Sequence, residues 1–368
     1  MRIAYDNQVF CNQSYGGISR YFVRLAEQLS SANIQIRIFA SLHQNHYLAQ
    51  LPTSIVFGHI LSSYPPRGGR IIRKFNDALS KNAIKYWMPD LVHETYYAKV
   101  GSAPKGCPTV ITVYDMIHEL FPESFSPFDN TSEIKRIAIE RADHIICISE
   151  STRQDLIRYF NTSLQKITVV HLGVDKYSIA KLTEKQSITI KKPYLLYVGN
   201  RKGYKNFSYL LRALSSSCKL KNDFDLLAFG GGQFDQMELM LLSELGYNQN
   251  QVQHIDGDDQ LLGKLYKEAT AFVYPSLYEG FGLPPLEAMA HDCPVISSNI
   301  SSMPEVIGDA AEYFNPTSIE NIKQAIENVV YSPSRMEELI RQGNIRLKNF
   351  SWKRCTEETL AVYSQFTK

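Results

Sequence analysis

The stretch Ala271-Phe-Val-Tyr-Pro-Ser-Leu-Tyr-Glu279-Gly280-Phe281-Gly282-Leu283-Pro-Pro-Leu-Glu287-Ala-Met-Ala290 decides how the rest of the chain is read. Ala271–Tyr274 is a short apolar run that predicts a buried strand, and the two glycines predict a turn. Pro284 and Pro285 suit the first turn of a helix, where a missing N–H costs nothing, and Pro285–His291 continues it. The amides of Phe281, Gly282 and Leu283 are then expected at a helix N-terminus, aligned for an anion such as a diphosphate. Glu279 in the turn and Glu287 on the helix cannot neutralise a phosphate. They are suited to accepting hydrogen bonds from sugar hydroxyls.

Working outward, the same strand–turn–helix unit recurs. Strands are expected at Arg2–Asp6, Ile34–Ala40, Leu91–His93, Thr109–Tyr114, Asp143–Ser149 and Lys166–Leu172, with helices at Ile18–Ser31, Arg70–Trp87, Ser132–Arg141 and Glu150–Phe160. The series restarts with strands at Tyr194–Gly199, Asp225–Gly230, Gln251–Ile255, Ala271–Tyr274, Pro294–Ser297 and Ala311–Phe314, and helices between and after them. Such alternation implies parallel sheets wrapped by helices, in two doubly wound α/β domains. The polar stretch 173–192 is the expected join. The expected domains are 1–172, 173–350 and a C-terminal helix within 351–368. Two Rossmann-like domains facing each other make a cleft, and ligands bind parallel sheets at the strands' carboxyl ends.

Composition narrows the function classes. With 44% hydrophobic and 21% charged residues, 368 residues can build two cores. Net charge is 39 − 37 = +2, which argues against a nucleic-acid partner. Residues 1–90 nevertheless hold ten Lys/Arg against four Asp/Glu. Most of that excess lies in 67–87, a basic amphipathic stretch whose Ile71, Phe75, Leu79, Ile84 and Trp87 could form a core face or touch an anionic membrane. The six cysteines are scattered without a CxxC pair, which fits a reducing cytosol and no zinc site. No signal-peptide pattern and no membrane-length apolar run is seen, so a cytoplasmic protein is expected, with peripheral contact at the inner face of the membrane through 67–87 as the alternative to a core face there.

Three further loops follow expected strands. In Tyr197-Val-Gly199-Asn-Arg201-Lys-Gly-Tyr-Lys205-Asn206 the cations Arg201 and Lys205 suit two phosphates. In Ser14-Tyr-Gly16-Gly17-Ile-Ser-Arg20 the paired glycines allow a ligand to approach the backbone, or simply make a turn. It is not GxGxxG, so a dinucleotide fingerprint is absent. Thr112-Val-Tyr114-Asp115-Met-Ile-His118-Glu119 offers Asp115 for catalysis, and Tyr114 and His118 on an acceptor side. Asp223-Phe-Asp225 and Asp256-Gly-Asp258 match a metal-holding DxD pattern. They read better as a strand start and a helix cap, so no metal is expected.

Together these residues resemble the retaining glycosyltransferases of sequence family 4, which have the GT-B architecture. EGFGLPPLEAMA resembles that family's E-x7-E signature, VGNRKGYKN its phosphate loop and YGGISRYF its N-terminal glycine loop; MPEVIGDAAEYFNP also fits. The resemblance covers essentially the whole chain. It implies that Arg201 and Lys205 hold the donor diphosphate, Glu287 the nucleotide ribose and Glu279 the donor sugar, with Gly280, Phe281, Gly282 and Leu283 around it and Gly16–Gly17 closing over it. It implies a nucleotide-sugar donor, a glycan or lipid-linked saccharide acceptor, no metal and a last helix that crosses back onto the N-terminal domain.

The chain departs from the family twice. Tyr114 stands where a histidine often precedes the aspartate, and Asp292 stands where AMAxG often has glycine. The expected activity is transfer of a hexose, mannose from GDP-mannose as the leading donor, in surface-polysaccharide synthesis. A sugar-nucleotide epimerase and a non-catalytic binding subunit are the alternatives, and an NAD-dependent oxidoreductase ranks last for want of GxGxxG.

Overall fold

Strands such as Tyr-Leu-Leu-Tyr-Val and Ala-Phe-Val-Tyr are apolar on both faces, so they are stable only where helices cover both sides of the sheet. A computed structural model, describing residues 1–62, 69–177, 192–248 and 250–367 and only the backbone at 69–71, shows that arrangement twice. The chain divides into two units. One holds Met1–Glu119, Ser126–Gly173 and Trp352–Lys368, and the other Leu120–Phe125 and Val174–Ser351. Leu120–Phe125, expected with the N-terminal domain, therefore belongs with the second unit. Most of the expected join, residues 178–191, lies outside the described residues.

The first unit is a seven-stranded parallel sheet. Its strands are β1 Arg2–Tyr5, β2 Gln35–His43, β3 Val56–Ile60, β4 Leu91–Glu94, β5 Thr109–Val113, β6 His144–Cys147 and β7 Ile167–Val169, in the order β3-β2-β1-β4-β5-β6-β7. Ile3 lies opposite Ile36 on one side and Leu91 on the other. The second unit is a six-stranded parallel sheet of β8 Tyr194–Val198, β9 Asp225–Phe229, β10 Val252–Ile255, β11 Ala271–Tyr274, β12 Val295–Ser298 and β13 Ala311–Phe314, in the order β10-β9-β8-β11-β12-β13. The strand order reverses at β1/β4 in one sheet and at β8/β11 in the other. Loops leaving those neighbouring strands part there and open a crevice for a ligand.

Edge strand β3 carries too weak a signal to be expected from sequence. It is half exposed, pairs among the described residues with β2 alone and contains Gly58, where a Cβ would lie 1.8 Å from the Ala40 carbonyl oxygen. The β2–β3 register shifts between Phe39 and Leu42. There the helix Gly69–Trp87 supplies the missing partners: Asn76 Oδ1 accepts from the Leu42 N–H (3.0 Å) and Asn76 Nδ2 donates to its carbonyl (2.7 Å). Ser80 Oγ donates to the Phe39 carbonyl at 2.8 Å.

This splits the expected apolar face of that helix: Ile84 and Trp87 pack on the core, and Phe75 and Leu79 do not. Asn76, Ser80 and Ile84 point inward, while Phe75 (58% exposed), Leu79 and Tyr86 (90%) point to solvent. A buried irregular backbone needs polar partners more than it needs phenylalanine. Arg67 and the side chains of 69–71 lie outside the described residues.

The helix Trp352–Tyr363 closes the first unit. Tyr363 Oη bonds His93 Nδ1 (2.6 Å) and Tyr5 Oη (3.2 Å), and the Trp352 ring packs at 6.4 Å from that of Tyr21. His93 Nε2 reaches Thr112 Oγ1 at 2.8 Å. The second core packs Tyr197, Phe207, Leu211, Leu226, Ile296 and Ile326 together. Asp258 caps the helix Asp259–Glu268, accepting from the Leu261 N–H, and Asp225 opens β9. Asp292 sits at a left-handed φ of 56° just past the helix Leu283–Ala290, the position where the family often has glycine. Among the described residues no helix is long and apolar enough to cross a membrane.

Candidate active site

Two loops meet at the β8/β11 reversal. The first leaves β8 through Gly199 and ends in a short 3-10 turn, Gly203–Lys205. The second leaves β11 through Pro275 and ends at Gly282, whose φ of 97° suits glycine, before the helix Leu283–Ala290. They are stitched together by the Leu277 N–H donating to the Tyr204 carbonyl (2.7 Å). Asn206 Nδ2 adds bonds to the carbonyls of Pro275 (3.0 Å) and Pro316 (2.8 Å). The result sets Lys205 Nζ 2.7 Å from Glu279 Oε1, in a site where the two side chains are 17% and 10% exposed. Lys205 also lies over the Tyr204 and Tyr274 rings. Burial, and then the Glu279 carboxylate, push the Tyr274 hydroxyl well above its ordinary pKa, so it stays protonated.

The backbone at Glu279 is clamped. Ser301 Oγ (2.7 Å) and Ser302 Oγ (2.8 Å) both donate to its carbonyl, and Ser302 Oγ is also 2.9 Å from the Phe281 carbonyl. Sequence reasoning missed this pair. Ser302 occupies the N-cap of Met303–Ile307. Its hydroxyl, however, bonds none of that helix's amides. Phe281 contributes backbone only, since its side chain is buried against Phe350.

Arg201 does not join Lys205 in the way the sequence suggests. Its guanidinium is buried, with Nε donating to Glu238 Oε1 (2.7 Å), Nη1 to the Gly230 carbonyl (2.7 Å) and Nη2 to the Gly232 carbonyl (2.8 Å). It lies over the Phe234 ring at 4.7 Å. Gly230, Gly231 and Gly232 all have φ between 73° and 80°. A Cβ on Gly231 would come within 2.9 Å of Arg201 Nη1 and of the Gly199 carbonyl. Arg201 thus builds the glycine turn after β9, and Lys205 is the cation beside Glu279. Glu238, its partner, also forms a capping box with Asp235.

Glu287 is buried among aromatic groups. Tyr177 Oη donates to its Oε1 and Tyr266 Oη to its Oε2 (3.3 Å), while His291 Nδ1 lies 2.8 Å from its carbonyl. Tyr177, unremarked in the sequence, stands within the expected join, in the second unit. Its approach requires Gly263, where a Cβ would be 3.0 Å from the Tyr177 Cβ.

In the first unit, Gly16 and Gly17 open the helix Gly17–Ser31. Gln13 Oε1 accepts from the Ser19 N–H at 3.2 Å, and a Cβ on Gly16 would strike that same oxygen at 2.3 Å. Tyr114 is turned into the core, its hydroxyl donating to the Thr95 carbonyl at 3.2 Å, so it offers nothing to an acceptor. Asp115 is partly exposed at 29%, and its Oδ1 lies 3.9 Å from the fully buried Lys135 Nζ, which pairs with Glu119 at 2.7 Å. His118 Nε2 lies 3.9 Å from Asp129 Oδ1. Burial and then Lys135 lower its pKa, so the ring is neutral at pH 7.

Two family matches cover most of the chain. Residues 15–176 match Glycosyltransferase Family 4 and residues 178–346 match Glycosyl transferases group 1. The chain belongs to these glycosyltransferases. This glycosyltransferase is 27% identical, over 94% of its length and 95% of the relative's, to the O-antigen chain mannosyltransferase B of Escherichia coli. It is 29% identical to the serotype-specific mannosyltransferase WbdA of the same organism, over 73% of this chain but only 36% of that protein.

Among solved structures it matches Anabaena HepE in complex with UDP and glucose, with a TM-score of 0.73 at 16% identity over 99% of both chains. It also matches the lipopolysaccharide-biosynthesis glycosyltransferase WaaG, with a TM-score of 0.71 at 18% identity over 98% and 99% of the two chains. These two likenesses give the GT-B fold and nothing finer.

Proposed function

We propose that this glycosyltransferase moves a hexose, mannose from GDP-mannose as the leading donor, with retention onto a glycan or lipid-linked saccharide of a bacterial surface polysaccharide. The observation that carries this reading is the Lys205–Glu279 pair at 2.7 Å beside the helix that starts at Leu283. Breaking a sugar–phosphate bond builds positive charge on the anomeric carbon and negative charge on the departing diphosphate. A lysine ammonium has three donors, of which one meets Glu279. The others would meet the leaving phosphate, and the helix N-terminus would add its partial positive charge. The Glu279 carboxylate would accept from the sugar's hydroxyls and favour the developing cation. The phosphate itself would take the acceptor's proton, so no protein base and no metal is required.

Glu287 would bind the ribose hydroxyls by sharing or displacing the Tyr177 hydroxyl. Arg201 would act on the diphosphate indirectly, by shaping the glycine turn. Asp115 would serve the acceptor side, and Gly16–Gly17 would lie over the donor sugar. The exposed Phe75, Leu79 and Tyr86, with Lys74 and Lys85 on the same helix, support peripheral docking of a cytoplasmic enzyme on an anionic membrane. The mannosyltransferase names of the relatives are the support for the sugar.

The test is radiolabelled transfer from GDP-mannose, UDP-glucose and UDP-N-acetylglucosamine to lipid-linked and free glycosides, with and without EDTA. Transfer from GDP-mannose that EDTA leaves unchanged supports the reading. Conversion of the donor to an epimer without acceptor would replace it by the isomerase alternative.

A further inference from the structure

Leu120-Phe-Pro-Glu-Ser-Phe125 follows β5 in the chain yet belongs with the second unit. Three of its six side chains are large and apolar, and each gains by leaving water. Pro122 fixes its own φ and opens a single 3-10 turn, Pro122–Ser124. The Ser124 N–H donates to the Phe121 carbonyl (2.9 Å) and the Phe125 N–H to that of Pro122 (3.2 Å). A turn closed in this way holds the Phe121 ring in one place.

That ring lies 5.7 Å from the ring of Tyr204 and 6.3 Å from that of Tyr278, centre to centre, within the range of packed aromatic pairs. Tyr204 immediately precedes Lys205, and Tyr278 immediately precedes Glu279. One ring therefore packs on both loops that carry the pair, near the bond from the Leu277 N–H to the Tyr204 carbonyl that stitches them together. The Tyr204 ring also lies under the Lys205 ammonium, with 5.3 Å from ring centre to Nζ. Ser124 braces the same loop. Gly203 opens the turn that ends at Lys205, and a Cβ there would lie 2.6 Å from Ser124 Oγ.

Resting on the glycosyl-transfer reading of the Lys205–Glu279 pair, we propose that Phe121 is a positioning residue for that reaction, holding the loops after β8 and β11 so that the Lys205 ammonium faces the leaving phosphate. A phenyl ring offers a diphosphate neither a donor nor a fixed charge, so what it supplies is geometry. Geometry matters in such a site, because a misplacement of about 1 Å can cost on the order of a hundredfold in rate. Without the ring, Tyr204 loses the neighbour that sets its tilt, and the ammonium over it shifts as well. The effect falls on the terminal phosphate of a nucleoside diphosphate, the one bonded to the sugar in the donor. A nucleoside monophosphate lacks that phosphate.

Calorimetric titration of the full chain with GDP, GMP, UDP and UMP tests this in the wild type and in Phe121→Ala, Phe121→Leu and Phe121→Tyr. For the diphosphate that the wild type binds, Phe121→Ala should lose about tenfold in affinity, the worth of two aromatic contacts. Phe121→Leu keeps the bulk, and with it the fold, and should lose about threefold or more; Phe121→Tyr keeps the ring and should stay within about twofold of wild type. The matching monophosphate should bind all four proteins alike. Diphosphate affinity unchanged in the Ala and Leu variants, equal weakening of diphosphate and monophosphate, or a Tyr variant as weak as the Ala variant would overturn the proposal. Failure of the wild type to bind either diphosphate would instead overturn the glycosyl-transfer reading, and the role of Phe121 would go with it.

Discussion

In Glu279→Ala protein the Lys205 ammonium loses the carboxylate that neutralises it at 2.7 Å. Two such charges about 4 Å apart attract by about 4 kcal/mol at an effective dielectric of ~20. Most of that is offset by desolvation, and a charge-assisted hydrogen bond nets roughly 1.5–3 kcal/mol. The free enzyme should therefore lose about 2 kcal/mol of stability, because a largely buried cation is left unpaired. A nucleoside diphosphate would restore a partner. GDP should then bind more tightly than to the wild type, by about 1.5 kcal/mol or roughly tenfold.

Transfer should nevertheless fall by at least about a hundredfold, since the group that faces the developing cation is gone. Lys205→Ala should do the opposite to binding. It leaves a carboxylate facing the diphosphate and should weaken GDP by about 3 kcal/mol, on the order of a hundredfold. Calorimetric titration of both variants with GDP and UDP, beside single-turnover transfer, reads all of this. If both substitutions move nucleotide affinity in the same direction, or neither moves it, Lys205 and Glu279 are not a donor-site pair.

Tyr177→Phe removes one donor from Glu287; it should cost about 1 kcal/mol of stability and leave nucleotide binding equal or tighter, whereas Glu287→Gln should weaken it, both readable by calorimetry. Gly231→Ala should lower the melting temperature and nucleotide affinity together, because the new Cβ meets Arg201 at 2.9 Å with φ at 76°. Reversing Lys74 and Lys85 to Glu should cut binding to phosphatidylglycerol vesicles about thirtyfold or more, at ~1 kcal/mol per basic residue, and leave phosphatidylcholine unaffected.

Two buried groups should give opposing pH dependence. Burial lowers His93 from 6.5 to about 3, so its contribution to stability is lost as pH falls from 6.5. Burial, with Glu94 beside it, raises Asp6 from 3.8 to about 6, so the folded state holds that proton longer and stability falls as pH rises from 3.8 to 6. His93→Gln should leave the Asp6 slope alone visible in denaturant melts, and Asp6→Asn should steepen acid loss. Parallel profiles would refute both assignments.

What sequence could and could not supply follows the range of each signal. Gly282 before a double proline, the apolar runs of β8 and β11, and Asp258 ahead of its helix are read locally, and each sits in the element expected of it. Lys205 and Glu279 lie 74 residues apart and meet only because β8 and β11 are neighbours. The resemblance could supply that pairing, but spacing could not. Arg201 looked equal to Lys205 because nothing nearby announces that Glu238 and the carbonyls of Gly230 and Gly232 would claim it. Asn76 and Ser80 looked like the polar side of an amphipathic helix because a register shift in a neighbouring strand leaves no local trace. Ser302 carries no local sign that its hydroxyl clamps the Glu279 carbonyl, 23 residues away in the chain.

The bond between Tyr5 and Tyr363 closes a span of 358 residues. Ordering so long an open loop costs about 5 kcal/mol by chain statistics alone. Apart from Leu120–Phe125 the second unit is continuous, and once folded it replaces much of that slack with a rigid spacer. The half of the protein made first on the ribosome should therefore be the half that matures last. Until the helix Trp352–Tyr363 emerges, Tyr5, Tyr21 and His93 present a bare apolar groove, and nascent chains stalled before Trp352 should need a holdase to stay soluble.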